Sequence, residues 1–117
     1  MTIQRYEIGP RMSQAVVYGG VAYLAEVVAD DLAPSVSDQT RQILAKIDRL
    51  LAMVGSDKTR LLKASIWLSD IRRFGEMNAV WDAWVAPGHP PARATVEARL
   101  AGRDYLVEIM VEAAVGP

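Results

Sequence analysis

Tyr105 to Val115 reads YLVEIMVEAAV, and this stretch decides the fold. Side chains alternate faces along a strand, so Val107, Ile109 and Val111 share one face while Leu106, Glu108 and Met110 share the other. Both faces are therefore apolar. One can pack on helices; the opposite one needs a cover of its own. Glu108 stands on that second face as a carboxylate among apolar neighbours, a costly position unless it is paired or protonated. Desolvation there raises its pKa toward the range useful for proton transfer.

The preceding strand candidate is Ala92 to Leu100, joined to the last strand through Ala101-Gly102-Arg103-Asp104. Arg93, Thr95, Glu97 and Arg99 alternate with Ala94, Val96, Ala98 and Leu100. A hairpin of these two strands, or their meeting across a subunit boundary, brings Arg93 and Glu108 within a few residues of each other. In the plainer reading Glu108 is a strand-edge carboxylate satisfied by Arg99, Arg103 or a neighbouring chain. Glu97, Arg99 and Glu112 read as solvated or cross-strand charges. Composition leaves both readings of Glu108 open.

Further upstream, Asp70 is a cap for a helix in which Phe74, Met77, Trp81 and Trp84 form one stripe, and Pro87-Gly88 stops it. Such a stripe is how a helix buries a face, so it reads as core packing rather than as a cofactor platform. Leu61 to Leu68 is a strand. Ile43, Ile47, Leu50, Leu51 and Val54 fall at helical spacing between Ser35 and Gly55. Ser35 with Asp38 resembles a capping box, and Gly55 suits the position just past the helix. Val21 to Val28 and Gln14 to Tyr18 are strands flanking Gly19-Gly20, a two-residue hairpin signal. Val21 to Val28 is nearly all apolar, which predicts a central place in the sheet. Ile3 to Ile8 is a short first strand closed by Gly9-Pro10.

The order β-β-β-α-β-α-β-β predicts an α+β fold: a mixed six-stranded sheet with both helices on one face, hairpins at both ends, and one domain over residues 1–117. Self-association through the free sheet face supplies the missing cover. A hydrophobic content of 51% leaves apolar surface for such an interface.

The net charge of −1 and pI near 5.8 offer no basic stripe for nucleic acid. There is no cysteine, so disulfides, thiolate nucleophiles and Cys-built metal sites are excluded. Neither a signal-peptide pattern nor a membrane-length apolar run is visible, and a cytoplasmic location is the expectation. No glycine-rich phosphate loop occurs. The single histidine, His89, lies in a Pro-Gly loop without metal-ligand spacing, so it reads as a solvated side chain and no metal site is expected.

Four stretches in order carry a resemblance. Met12-Ser13-Gln14-Ala15-Val16 is similar to a "YSQAV" opening, and Gln39-Thr40-Arg41-Gln42-Ile43-Leu44 to Gly55 to a first helix. Met77-Asn78-Ala79-Val80-Trp81 is similar to an "MN-x-x-[YW]" helix motif. Pro91-Ala92-Arg93-Ala94-Thr95-Val96 with Leu106-Val107-Glu108-Ile109 is similar to a "PAR-[ST]-x-V…VEI" signature. Together they resemble the RidA/YjgF family over essentially the whole chain.

The resemblance implies a chorismate-mutase-like homotrimer whose sheets close into a barrel, with clefts between subunits. It also implies hydrolysis of reactive enamines and imines, such as 2-aminoacrylate, to 2-keto acids and ammonia without a cofactor. Arg93 then corresponds to the arginine that binds the substrate carboxylate, since a guanidinium fork can meet both oxygens. Glu108 corresponds to the glutamate that activates water or shuttles protons. Asn78, Thr95 and Met12 correspond to positions around the substrate. Asn78 has a second reading as a structural hydrogen-bonding residue.

The chain departs from the family pattern at three of these places. Met12 stands where tyrosine is usual, Thr95 where some members carry cysteine, and Ala25-Glu26-Val27 where "SGQ" is common. Glu26 facing a pocket would repel a carboxylate; facing solvent it would not. The same cleft offers a non-catalytic alternative, a regulatory trimer that binds a 2-keto acid. Ribonuclease activity, attached to some relatives, finds no basic stripe or interleaved stacking aromatics here.

Overall fold

A computed structural model describes residues 1–117. The strands are β1 (Gln4–Ile8), β2 (Ser13–Tyr18), β3 (Val21–Leu24), β4 (Leu61–Leu68), β5 (Ala92–Glu97) and β6 (Val107–Ala114). The helices are α1 (Val36–Met53) and α2 (Phe74–Trp84). The strands form one mixed sheet in the order β1-β2-β3-β6-β4-β5, in which only β4 and β5 run parallel. The α+β class and the mixed six-stranded sheet with two helices are as expected.

Local chemistry accounts for the elements. Gly19 and Gly20 both take positive φ, 61° and 79°, as a primed two-residue turn between β2 and β3 requires. The Ser35 side chain accepts from the Asp38 backbone N–H at 3.1 Å and starts α1. Asp38 does not complete a reciprocal box; its short carboxylate pairs with Arg41 at 3.0 Å. Gly55 ends α1 at φ 78°, the left-handed geometry that glycine takes without strain. Asp70 caps a 3-10 turn, Ile71–Arg73, which runs directly into α2.

Two expectations are corrected. The last two strands form no hairpin: β6 lies between β3 and β4, and β4 separates it from β5. The crossover through α2 leaves β5 parallel to β4 at the sheet edge. β6, apolar on both faces, then takes an inner slot, where it gains ladders on both sides. The second correction concerns strand ends. β5 stops at Glu97, opposite the last residue of β4, and β6 begins at Val107. The segment between them crosses the end of β4. It is held there by Gln39 of α1, fully buried, which donates to the carbonyls of Ala33 and Asp104 and accepts from the Leu106 N–H, each at 2.9 Å.

The core lies between the helices and one sheet face. Ile43, Ile47, Leu50 and Leu51 of α1 and Met77 and Trp81 of α2 pack over Ala64, Ile66, Leu68, Val107, Ile109 and Val111. The opposite sheet face carries Tyr23 and Val96, which are 45% and 50% exposed, and the half-buried Met110. No element of this chain covers them.

Candidate functional site

β5 pairs in register with β4, Arg93 beside Ala64 and Thr95 beside Ile66. Ala64 and Ile66 are core residues, so Arg93 and Thr95 point to the helix side of the sheet. At the edge they reach α2 rather than the core centre. The Arg93 guanidinium lies over two aromatic rings of α2, 5.3 Å from the centroid of Trp81 and 5.7 Å from that of Phe74. It forms no ion pair within the chain. Its charge is steadied by ring faces and its N–H donors remain free for a ligand. Part of the aromatic stripe thus does more than fill the core. Sequence reasoning missed this role because strand register, not helix periodicity, brings Arg93 over Phe74 and Trp81.

Asn78 lies between Phe74 and Trp81 on the same stretch of α2, at i+4 and i−3 spacing that shares their face. Asn78 Oδ1 and Thr95 Oγ1 are buried and have no hydrogen-bond partner. An orphaned buried acceptor or hydroxyl is costly and rare. Both lie on the same helix-side edge as Arg93 but are closed off by the chain's own atoms, so a ligand would meet them only after a side-chain movement. Asn78 Oδ1 makes no hydrogen bond within the chain.

Glu108 lies elsewhere. It pairs with Trp67 of β4, on the sheet face away from the helices and on the same side as Met110. It forms no ion pair with Arg99 or Arg103, nor with any other side chain of this chain. Partial burial pushes its carboxyl above the ordinary glutamate range, and the nearby charge of Glu26 pushes it further.

Glu26 reaches that place through an irregular strand. The expected strand Val21 to Val28 breaks after Leu24 and resumes as a single bridge at Val27. Tyr23 pairs with Glu112 and Val27 with Ile109, so four steps along one chain oppose three along β6. The extra residue is a bulge at Ala25-Glu26, the kind of irregularity that re-aims a side chain. Val27 and Ile109 exchange both backbone hydrogen bonds, at 2.8 and 3.1 Å. Val27 is buried on the core side, and its neighbour Glu26 is therefore turned to the face of Glu108. Glu26 is open to solvent in the single chain and is also the charge closest in effect to Glu108. Met12 is 42% exposed, in the turn between β1 and β2, at the end of β2 nearest this bulge.

The candidate residues thus form two groups within one chain. Arg93, Thr95 and Asn78 occupy the helix side at the β5 edge. Glu108, with Glu26 close by, occupies the open face, and the sheet itself stands between the groups. His89 is exposed in the loop before β5. No helix is long and apolar enough to cross a membrane.

A family model described as Endoribonuclease L-PSP matches residues 2–115. A RutC family protein of Haemophilus ducreyi is 42% identical over 113 residues, covering 97% of each chain. The RutC family protein YoaB of Escherichia coli is 42% identical over 115 residues, covering 98% of this chain and all of its own. A solved structure of a YjgF-family protein from Neisseria meningitidis superposes with a TM-score of 0.97 at 45% identity. It covers 100% of this chain and 98% of its own.

Proposed function

The chain belongs to the RidA/YjgF family, and from that membership we propose that it hydrolyses reactive imines and enamines of the 2-aminoacrylate type to 2-keto acids and ammonia. The unit is a single domain over residues 1–117, working without cofactor in the clefts of a cytoplasmic homotrimer. The uncovered apolar sheet face supports the assembly, because burying it is favourable and this chain has nothing to bury it with. Arg93 and Glu108 lie on opposite sides of the sheet within one chain, which supports a cleft that takes one from each of two subunits.

In this reading the Arg93 guanidinium grips the substrate carboxylate through paired charge-assisted hydrogen bonds, worth about 1.5–3 kcal/mol each. Thr95 and Asn78, whose oxygens are buried without a partner beside Arg93, turn toward the same ligand when it binds. Glu108, its pKa raised by burial, takes a proton from the attacking water and returns it to the departing nitrogen. The observation that carries the proposal is the Arg93 guanidinium. It is a half-buried cation without a carboxylate partner, stacked on two rings beside two unpartnered polar atoms.

The test is a coupled reaction that generates 2-aminoacrylate. Wild-type protein speeds release of the keto acid and Arg93→Ala abolishes the effect while the assembly persists. Equal rates for the two proteins would end the proposal. Met12, which lacks the hydroxyl of the usual tyrosine, favours one second reading: a trimer that captures a 2-keto acid without turnover. Tight Arg93-dependent binding of a keto acid, with no acceleration in the coupled assay, would select that reading.

A further inference from the structure

We infer that Glu26 makes the proposed cleft selective for a zwitterionic ligand, that is, for the protonated iminium form of a 2-imino acid over the enamine, whose nitrogen is uncharged, and over the 2-keto acid product. The inference rests on the deaminase reading above and concerns the charge at the reacting end of the same site.

The bulge at Ala25-Glu26 is the structural cause. In a regular strand the pairing of Tyr23 with Glu112 would continue to Leu24 and beyond in strict alternation. The extra residue instead leaves both Leu24 and Val27 on the core side, and Glu26 beside Glu108. The charge balance of that face is uneven. Glu112 has Lys63 directly opposite it on β4, whereas Glu108 has Trp67. Neither Glu26 nor Glu108 takes part in an ion pair of this chain. The carboxylates of Glu26 and Glu108 therefore lie on the uncovered sheet face without an intrachain cation, and in the proposed assembly they face the cleft.

The other end of the ligand is read independently. Arg93 is an unpaired cation flanked by the unsatisfied Thr95 Oγ1 and Asn78 Oδ1. A cleft with one cation at one end and two carboxylates at the other is complementary to a small molecule carrying a carboxylate and a protonated nitrogen. A plain carboxylate fits Arg93 but meets repulsion at Glu26.

Hydrolysis then follows the charge. The iminium R–C(=NH2+)–COO− adds water at carbon, and the water proton passes to Glu108. Glu108 returns that proton to the nitrogen; as the C–N bond breaks the carbinol O–H gives its proton through Glu108 to the departing NH3, and the products are R–CO–COO− and NH4+. The cation that held the reacting end leaves as ammonium. The remaining keto acid faces Glu26 and Glu108 with no compensating charge and is released.

The experiment is calorimetry on the full chain with 2-aminobutanoate, a stable zwitterion, and 2-oxobutanoate, its keto counterpart. Wild-type protein should bind the amino acid more tightly than the keto acid. Glu26→Gln, a substitution of similar size at an exposed position, should lower that preference about tenfold, the scale of one hydrogen bond to a charged group. Arg93→Ala should lose both ligands. Binding that depends on Arg93 but keeps the same preference in Glu26→Gln overturns this inference and leaves the deaminase reading standing. A wild-type preference for the keto acid overturns it as well. Failure of wild-type protein to bind either ligand overturns both.

Discussion

Arg93 pairs with the core-facing Ala64 and Glu108 with the outward Trp67, so the two side chains leave the sheet on opposite faces with β4 between their strands. A site using both draws them from different subunits. Mixed assemblies of Arg93→Ala and Glu108→Gln chains test this directly. Each variant alone should be inactive. Dissociated and reassembled together at equal amounts, they should restore activity in about a quarter of the clefts, those receiving the intact residue from both sides. No recovery would place both residues in one chain's site.

Thr95 and Asn78 give the opposite of the usual mutational result. Both side-chain oxygens are buried without a partner, so removing them relieves a desolvation penalty. Thr95→Val, nearly equal in shape, should raise stability by about 1 kcal/mol, read as a higher Tm. The same variant should weaken ligand binding. A loss of stability would mean that the hydroxyl is satisfied within the chain.

Much of this was legible in the sequence because it depends on local rules. The Gly19-Gly20 turn, the Ser35 cap, the Gly55 stop and the α1 stripe each follow from a few neighbouring residues. The two-faced apolarity of Val107 to Met110 announced an uncovered face. What failed was pairing. A nearby strand along the chain looks like a hairpin partner, but the α2 crossover and the competition for the inner slot put β6 against β3 and β4 instead. The bulge at Ala25-Glu26 was equally hidden, because one extra residue in a run of apolar ones leaves the local pattern intact. The position of Glu26 beside Glu108 emerges only from the register with β6.

Gln39 ties this non-local pairing down. Its buried amide makes three hydrogen bonds to the backbone of Ala33, Asp104 and Leu106, holding α1 to the segment that delivers β6. Gln39→Leu keeps the bulk and leaves those backbone groups without their partner. It should cost about 3 kcal/mol in denaturant unfolding, with no direct effect on the chemistry of Arg93. A cost below 1 kcal/mol would show that the segment holds its place without the amide.

Tyr23 lies on the uncovered face, opposite Glu112. Tyr23→Lys places a cation beside that carboxylate, a tolerable change for the separate chain, but in the proposed trimer it puts a charge into an apolar contact between subunits. Light scattering should show the mass falling from that of the proposed trimer toward a single chain while circular dichroism stays unchanged. An intact trimer would mean that the subunits meet through another surface.

The titration of Glu108 joins burial, bulge and chemistry in one measurement. Its folded pKa lies above the ordinary glutamate value of 4.5, first through desolvation and second through Glu26. A raised carboxyl holds its proton more tightly folded than unfolded. Its contribution to stability is therefore fully present below 4.5 and is lost as pH rises through the higher folded midpoint. Activity should run the other way, rising through that midpoint as the base becomes available. Glu26→Gln removes the like charge but not the burial. The midpoint read by side-chain NMR should move down and remain above 4.5, and the acid limb of the activity profile should move with it. A midpoint unmoved by Glu26→Gln would separate the two carboxylates in solution. A stability that fell on acidification through the same window would mean that Glu108 finds a cation in the assembled protein, and the proton it was assigned to carry would have to be held elsewhere.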